Sequence, residues 1–210
     1  MTRSGTKAAQ HDGCVPPMIR LAIVNRGEPA LRALNTLAEL DGVGGVRYHS
    51  IALYTDPDRD ALFVRYADEA ICLGAARYLD PVDGRTKHSY LDIPKLEAAL
   101  VAAKVDAVWV GWGFVAEDAD FAARCEELGI IFIGPPSGAM RALGDKVRAK
   151  TLAQEAGVPV VPWSNGPIST PDEALVHARR IGYPLMVKAS AGGGGRGIRE
   201  VRDEAGLAGM

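Results

Sequence analysis

Between residues 19 and 133, short apolar runs alternate with helix-length amphipathic segments. Strands that are buried on both faces read as nearly continuous apolar runs, and such strands occur in parallel sheets covered by helices. Two parallel neighbours also need a long crossover connection, which the intervening helical segments can provide. The alternation therefore predicts an α/β protein built on a parallel sheet.

The apolar runs predict strands at residues 19–24, 50–54, 67–73, 105–110 and 130–133. The periodic segments between them predict helices at residues 28–40, 93–103 and 119–128. Pro29 lies in the first turn of the first helix, where its missing N–H costs no hydrogen bond. The first unit is thus strand, helix, strand, and the same order continues to residue 133.

The pattern changes at Gly134-Pro135-Pro136. Beyond it we expect helices at residues 137–143, 145–156 and 171–181, then strands at 183–189 and 198–201 that no parallel crossover connects. We predict a disordered tail at residues 1–17, a parallel α/β domain at 18–135 and the start of a second domain at 136–210.

The composition, 48% hydrophobic with a formal net charge of −2, is typical of a globular protein with a core. Lysine and arginine are not concentrated in any run, so we expect no nucleic-acid partner.

The three cysteines are far apart, and no two of them have Cys-x-x-Cys spacing. This excludes a disulfide framework or a structural zinc site and favours the cytoplasm. The first seventeen residues have no apolar core of a secretory signal, and no apolar run reaches membrane-spanning length.

A glycine-rich loop joins the last two predicted strands, with the sequence KASAGGGGRGI at residues 188–198. It contains G-x-G-x-x-G, but a dinucleotide site requires a helix after this fingerprint, and a strand follows here. A Walker A sequence is also missing. The loop could close its bare backbone N–H groups over phosphate oxygens, or it could be a flexible linker. Two flanking apolar strands favour phosphate binding.

Two lysines are candidate phosphate ligands. Lys188 ends a strand in which Leu185 and Val187 share one face while Met186 and Lys188 share the other. It would meet a phosphate if that second face lines a cleft, and it would be an ordinary solvated residue if not. Lys146 begins a helix behind the possible cap Asp145, and it too could be a plain surface lysine.

Several segments, taken together, resemble the biotin carboxylase family. The segment IVNRGE (residues 23–28) is similar to the family's ANRGE motif. SYLDIP (89–94) is similar to its SYLNIP segment. GWGFVAE (111–117) resembles the GYGFLSE turn. The remaining similar segments, in the family's order, are YTDPDRD (54–60), ADEA (67–70), FIGP (132–135), GDK (144–146), GYP (182–184) and VKAS with the glycine loop.

The resemblance implies a Rossmann-like domain without its own dinucleotide, followed by a truncated ATP-grasp domain. It implies that ATP, Mg²⁺ (or Mn²⁺), bicarbonate and biotin on a carrier domain take part, with carboxylation of biotin through carboxyphosphate. A carboxyltransferase partner and an oligomeric parent protein are further implications. The implied ATP-binding residues are Lys146, Lys188, Gly192, Gly193, Gly194, Gly195, Arg196 and Gly197, with the glycines forming a lid.

Some positions depart from the bacterial single-subunit pattern. Trp112 replaces a tyrosine, and together with residues 161–164 and the long insert at 77–88 it looks more like fused acetyl-CoA or acyl-CoA carboxylases. Trp112 is either a core aromatic residue at a strand end or a biotin contact. Glu117 either lies near a cleft or is the N-terminal acid of the next helix. We assign neither to catalysis.

The family's acidic metal ligands, its base for bicarbonate and its arginine near biotin would lie farther along than residue 210. We therefore expect the chain alone to be inactive, and we assign it no catalytic or metal-binding residue. Two alternatives remain open: another ATP-grasp ligase of carbamoyl-phosphate or purine synthesis, and a non-catalytic assembly module. The sequence does not identify the acyl-CoA that a parent enzyme would carboxylate.

Overall fold

The computed structural model describes residues 17–189 and 197–209 and divides into two compact units, Met1–Ser137 and Gly138–Met210. The predicted tail at residues 1–17 lies outside the described residues except for Pro17. In chain order the helices and strands of the first unit are β1 (Met18–Ile23), α1 (Gly27–Leu40), β2 (Arg47–Tyr54), α2 (Leu62–Tyr66), β3 (Glu69–Cys72), β4 (Arg77–Leu79), β5 (Thr86–His88), α3 (Ile93–Ala102), β6 (Ala107–Trp109), α4 (Ala119–Glu127) and β7 (Ile131–Ile133).

Five parallel strands form the main sheet of the first unit, in the order β3-β2-β1-β6-β7. The central strand β1 pairs Ala22 with Ile51 on one side and with Val108 on the other. The chain therefore extends the sheet first in one direction and then in the other, as in doubly wound α/β folds. The predicted parallel α/β architecture is confirmed.

Both faces of this sheet are buried, which explains why its inner strands are apolar at every position. Ala22 and Val24 of the β1 segment belong to one buried cluster, with Ile51 of β2. Leu21 and Ile23 point the other way, into a second cluster beneath Ala30 of α1. Alternate side chains of one strand thus enter two separate parts of the core.

The insert at residues 77–88 forms a small structure of its own, which the sequence patterns did not predict. Strands β4 and β5 pair antiparallel, with Arg77 opposite His88. The Ser89 hydroxyl donates to the carbonyl oxygen of Ala75 at 2.7 Å, and the Tyr78 hydroxyl is hydrogen-bonded to the carboxylate of Asp92. These bonds hold the open end of the hairpin together and attach it to the start of α3.

The second unit begins with three helices and ends in a hairpin. Its elements are α5 (Ser137–Gly144, whose first residue belongs to the first unit), α6 (Lys146–Glu155), α7 (Pro171–Ile181), β8 (Leu185–Lys188), β9 (Ile198–Val201) and α8 (Glu204–Ala208). Strands β8 and β9 pair antiparallel, in agreement with the expectation that no parallel crossover joins them. The boundaries of α5, α6, α7, β8 and β9 lie within two residues of their predictions.

Within the described ranges, the helices include none that is both long enough and apolar enough to cross a bilayer.

Candidate functional site

The β8–β9 hairpin holds Lys188 at the edge of the glycine-rich loop. Leu185 and Val187 are partly buried, whereas Met186 and Lys188 are exposed, so the two predicted faces of the strand are confirmed. Lys188 is paired with Ile198. The ammonium group therefore lies on the solvent-facing side of the last strand residue before the loop.

Only the far end of the loop falls within the described residues. Gly192, Gly193, Gly194, Gly195 and Arg196, which the resemblance implies as ATP-binding residues, lie outside them. The remaining member, Gly197, has a φ of +70°, which disfavours any residue with a side chain. A Cβ atom there would approach the Cβ of Ala189 to 2.8 Å. Ala189 N–H also donates to the Gly197 carbonyl oxygen at 2.8 Å, so the base of the loop is closed by a bond that needs glycine.

Lys146 is the first residue of α6, and its side chain is exposed. The predicted cap is confirmed: the Asp145 carboxylate accepts a hydrogen bond from the Arg148 N–H at 2.7 Å. A capping carboxylate satisfies one of the free N–H groups of the first turn and fixes where the helix begins. The start of α6 at Lys146 is therefore set by its neighbour in the sequence.

Lys150, which sequence reasoning missed, lies one helical turn beyond Lys146 on α6. Its Nζ atom lies 5.2 Å from the centre of the Trp163 ring. Burial, and after it the positive charge of Lys188, lower the pKa of Lys150 from its usual value. Lys188, although distant in sequence, thus acts on Lys150 through its positive charge. The i, i+4 spacing from Lys146 is the one sequence signal that could have indicated Lys150.

Trp163 is held in place by one hydrogen bond from its indole and one to its backbone. Its Nε1–H donates to Oε1 of Gln154, on α6, at 3.2 Å. Its backbone carbonyl accepts a hydrogen bond from Nη2 of Arg180, on α7, at 2.6 Å. With only 9% of the residue exposed, Trp163 is part of the packed interior of the second unit. Its ring is a fixed surface for the Lys150 ammonium.

Within the described residues, no carboxylate balances the ammonium groups of Lys150 and Lys188. Among residues 17–189 and 197–209, neither Lys150 nor Lys188 forms an ion pair with a carboxylate. Two neighbouring cations without a counter-charge repel each other and attract an anion. The arrangement is suited to phosphate oxygens, which lysine binds as a compact point charge.

The part of the chain that the structure describes contains no group of three or more His, Cys, Asp or Glu side chains that could hold a metal ion. We assign no magnesium ligand to these residues.

For Trp112 and Glu117, both in the first unit, the structure rules out one of the two interpretations that the sequence left open. Trp112 is 59% exposed, so its interpretation as a core aromatic residue is wrong. The Asn25 amide donates to the carbonyl oxygens of Val110 (2.8 Å) and Trp112 (2.9 Å) and holds this turn against β1. Trp112 projects outward because glycines on both sides let the chain turn sharply there.

Glu117 is not an acid of the first helical turn. Helix α4 begins at Ala119, its cap is Asp118, and its first-turn acid is Asp120. The Asp118 carboxylate accepts from the N–H groups of Asp120 (2.9 Å) and Phe121 (3.0 Å). Glu117 lies before the cap and is exposed. A position of Glu117 near a cleft stays a prediction.

Two family models match the chain, one for each part. Residues 17–140 match the biotin carboxylase N-terminal domain. Residues 145–210 match the ATP binding domain of the carbamoyl-phosphate synthase L chain.

Curated relatives agree with this assignment. Biotin carboxylase of Nostoc sp. is 45% identical over 183 residues, which are 87% of this chain and 38% of the relative. The propionyl-CoA carboxylase alpha chain of Ruegeria pomeroyi is 43% identical over 180 residues, which are 86% of this chain and 24% of the relative. The chain thus spans about two-fifths or less of the length of these proteins.

Solved structures give the same result. Biotin carboxylase of Campylobacter jejuni, in a β,γ-ATP complex, has a TM-score of 0.78 and 42% identity over 90% of this chain and 40% of that one. The biotin carboxylase domain dimer of Hydrogenobacter thermophilus 2-oxoglutarate carboxylase, with MgADP, ADP and bicarbonate, has a TM-score of 0.75 and 39% identity over 90% of this chain and 38% of that one. The first family model alone covers more than half of the sequence, and the chain belongs to the biotin carboxylase family.

Proposed function

We propose that this chain supplies the phosphate-binding part of the ATP site of a biotin carboxylase. The observation that carries the proposal is the β8–β9 hairpin, which presents Lys188 directly before the glycine-rich loop. A related biotin carboxylase has been solved with a β,γ-ATP complex, which supports a nucleotide ligand for this segment. The described residues and their charges are compatible with a polyphosphate ligand.

The proposed parent reaction has two steps. A bicarbonate oxygen attacks the γ-phosphorus of ATP, the bond to the β-phosphate oxygen breaks, and carboxyphosphate and ADP form. The carboxyl group then passes to a deprotonated ureido nitrogen of biotin, and inorganic phosphate leaves. Such phosphoryl transfer depends mainly on positioning and on neutralising the charge of the phosphate oxygens.

Within this reaction we propose that the chain binds and orients ATP. Lys146 and Lys188 contact phosphate oxygens, and Gly192 to Gly197 provide backbone N–H groups that cover them. Covering the phosphates also excludes water, which would hydrolyse carboxyphosphate. Mg²⁺ is proposed to bind together with the nucleotide, where it would screen the charge of the phosphates, and the Hydrogenobacter relative solved with MgADP supports this.

The remaining assignments are proposals of the same kind. Bicarbonate as a substrate and a dimeric parent are supported by the Hydrogenobacter domain, which is a dimer solved with bicarbonate. A biotinylated carrier and a carboxyltransferase are proposed partners, and fatty acid synthesis a proposed role. We propose a domain boundary near Pro135 and a cytoplasmic location, the latter from the cysteine pattern.

The test is the Lys188→Ala variant of the longer protein that carries this segment. We expect its bicarbonate- and biotin-dependent ATP hydrolysis to fall by about two orders of magnitude, since one charge-assisted contact to the transferring phosphate is lost. Arg148→Ala is the matched control, because it removes one exposed positive charge from the same unit. An unchanged rate in Lys188→Ala would contradict the proposed role.

The match of residues 145–210 to a carbamoyl-phosphate synthase domain favours a second candidate, another ATP-grasp ligase. The match of residues 17–140 to the biotin carboxylase domain argues against it. Measuring ATP hydrolysis by the longer protein with ammonia and with biotin separates the two. We expect stimulation by biotin and none by ammonia.

A further inference from the structure

A helical face of the second unit carries two lysines at adjacent turns. Lys146 and Lys150 are four residues apart on α6, so both side chains leave the same side of the helix. Arg148, between them in sequence, points away from that side. The lysine assigned by family resemblance therefore has a second cation next to it.

Lys150 is held in a position that is unfavourable for an isolated cation. The side chain is partly buried against the Trp163 ring, with Nζ 5.2 Å from the ring centre. A cation over an indole face is attracted to it, which partly offsets the loss of water. The ring N–H is bonded to Gln154, and Arg180 donates to the backbone carbonyl oxygen of the same tryptophan. Packing thus keeps the ammonium group in one place instead of letting it turn into solvent.

The position also brings two like charges together. The positive charge of Lys188, the last residue of β8, adds to the effect of burial and lowers the pKa of Lys150. Free lysine side chains would separate, because they have several rotatable bonds and no carboxylate within the described residues holds either of them. A shared anion would remove this repulsion.

We propose that Lys150 is a further nucleotide-binding residue, whose ammonium, positioned by Trp163, binds the phosphate oxygens together with Lys188. The proposal rests on the proposed function, since it adds a ligand to the same phosphate site. Trp163 is then a positioning residue, which acts on phosphate through Lys150. Loss of the indole should weaken phosphate binding although the ring makes no contact with phosphate.

The competing interpretation is that Lys150 only packs against Trp163 and contributes to stability. The two interpretations differ in what replacement of Lys150 changes. A packing role predicts altered stability and unaltered anion affinity. A binding role predicts lower anion affinity, which an arginine at the same position restores, because arginine keeps both the charge and the stacking.

The experiment is a titration of this 210-residue chain with inorganic tripolyphosphate, followed by NMR of the Trp163 indole N–H and the lysine side chains. Trp109 and Trp112 in the first unit serve as internal references. We expect millimolar tripolyphosphate to shift the Trp163 and Lys150 signals but not the reference signals. Lys150→Gln should weaken binding about tenfold, the effect of one charge-assisted contact.

Three variants make the result decisive. Arg148→Gln removes the same charge from the same helix with little change in helix propensity, and it should leave affinity within about twofold. Lys150→Arg should restore most of the affinity. Trp163→Leu should weaken binding in the chain that contains Lys150 and have no further effect in Lys150→Gln.

The outcomes separate this inference from the proposed function. If Lys188→Gln loses affinity while Lys150→Gln behaves like Arg148→Gln, the inference is wrong and the proposed function stands. If tripolyphosphate binds nowhere near Trp163, or if Lys188→Gln binds it unchanged, both are wrong. If Lys150→Gln loses affinity and Lys150→Arg regains it, the inference is supported.

Discussion

Arg26 and Asp58 are joined by two hydrogen bonds, from Nε to Oδ2 at 2.7 Å and from Nη2 to Oδ1 at 2.5 Å. The pair connects the turn after β1 to the turn after β2 at the carboxyl end of the sheet. Asp58 is almost fully buried, whereas about half of the Arg26 side chain is exposed. The hydrogen bonds that Arg26 donates to the Asp58 carboxylate are the main reason that the pKa of Arg26 is raised.

We expect Asp58→Asn to destabilise the first unit by about 2 kcal/mol, because a buried, charge-assisted double contact becomes a weak neutral one. Urea unfolding of wild type and variant measures the difference. Glu28→Gln is the control: it breaks the exposed ion pair with Arg32, 3.6 Å long, and should cost less than about 0.5 kcal/mol. Equal losses in the two variants would show that the buried pair has no special role.

Gly111 should not tolerate a side chain. Its φ is +62°, and an added Cβ would lie 2.6 Å from the Trp109 ring. Gly111→Ala should therefore cost about 3 kcal/mol, from backbone strain and steric overlap together. Gly113→Ala shares the strain, with a φ of +75°, but a Cβ there meets nothing within 4 Å. It should cost only about 1–2 kcal/mol, and thermal unfolding of both variants isolates the contribution of the overlap.

The contact between α3 and α4 should depend on pH. Arg124 donates to Glu97 through Nε at 2.7 Å and Nη2 at 2.6 Å, and this contact lowers the pKa of the Glu97 carboxyl. A lowered pKa in the folded state stabilises the protein above the unfolded value of about 4.3, and the contribution is lost as pH falls through the folded value.

Glu97→Gln should therefore be less stable than wild type at about pH 7, and the difference should shrink as the pH approaches about 3. Urea unfolding across this pH range measures it. Glu127→Gln is the control because Glu127 binds the same arginine at 2.7 Å from a more exposed position. A difference between Glu97→Gln and wild type that does not change with pH would contradict the assignment.

The two described cysteines should differ in reactivity. Burial raises the pKa of Cys125 to about 11, whereas Cys72 is exposed. Thiolate, not thiol, reacts with disulfide reagents, so a Cys14→Ser variant should show one fast thiol in the folded state and a second only in denaturant. Mass spectrometry identifies the modified residue. Modification of Cys125 at the rate of Cys72 in the folded chain would show that α4 opens readily.

The sequence predicted the strands of the main sheet because burial on both faces leaves a continuous apolar run, as in residues 21–24. It did not predict the order β3-β2-β1-β6-β7, since the partner of a strand depends on contacts between distant segments. The β4–β5 hairpin was missed for a different reason. Its strands have three residues each, and Leu79 is exposed, so they show no apolar periodicity.

The candidate site was predicted in part for the same physical reasons. Lys188 was found because a strand and a glycine run lie beside it in the sequence. Lys150 was not found, because its two partners, Trp163 and Lys188, are neighbours only after the chain has folded. The sequence did not decide whether Trp112 is exposed, since large aromatic residues near strand ends are usually buried whereas a ligand contact is accessible.

The hydrogen bond from the Ala189 N–H to the Gly197 carbonyl oxygen separates the loop from the strand that precedes it. Because this bond closes the base, residues could be inserted into or removed from the segment between them without shifting Lys188 along β8. Evolution could thus change the length of the loop while the lysine stays where it is. The loop glycine that should resist replacement most strongly is then Gly197, rather than Gly192 to Gly195.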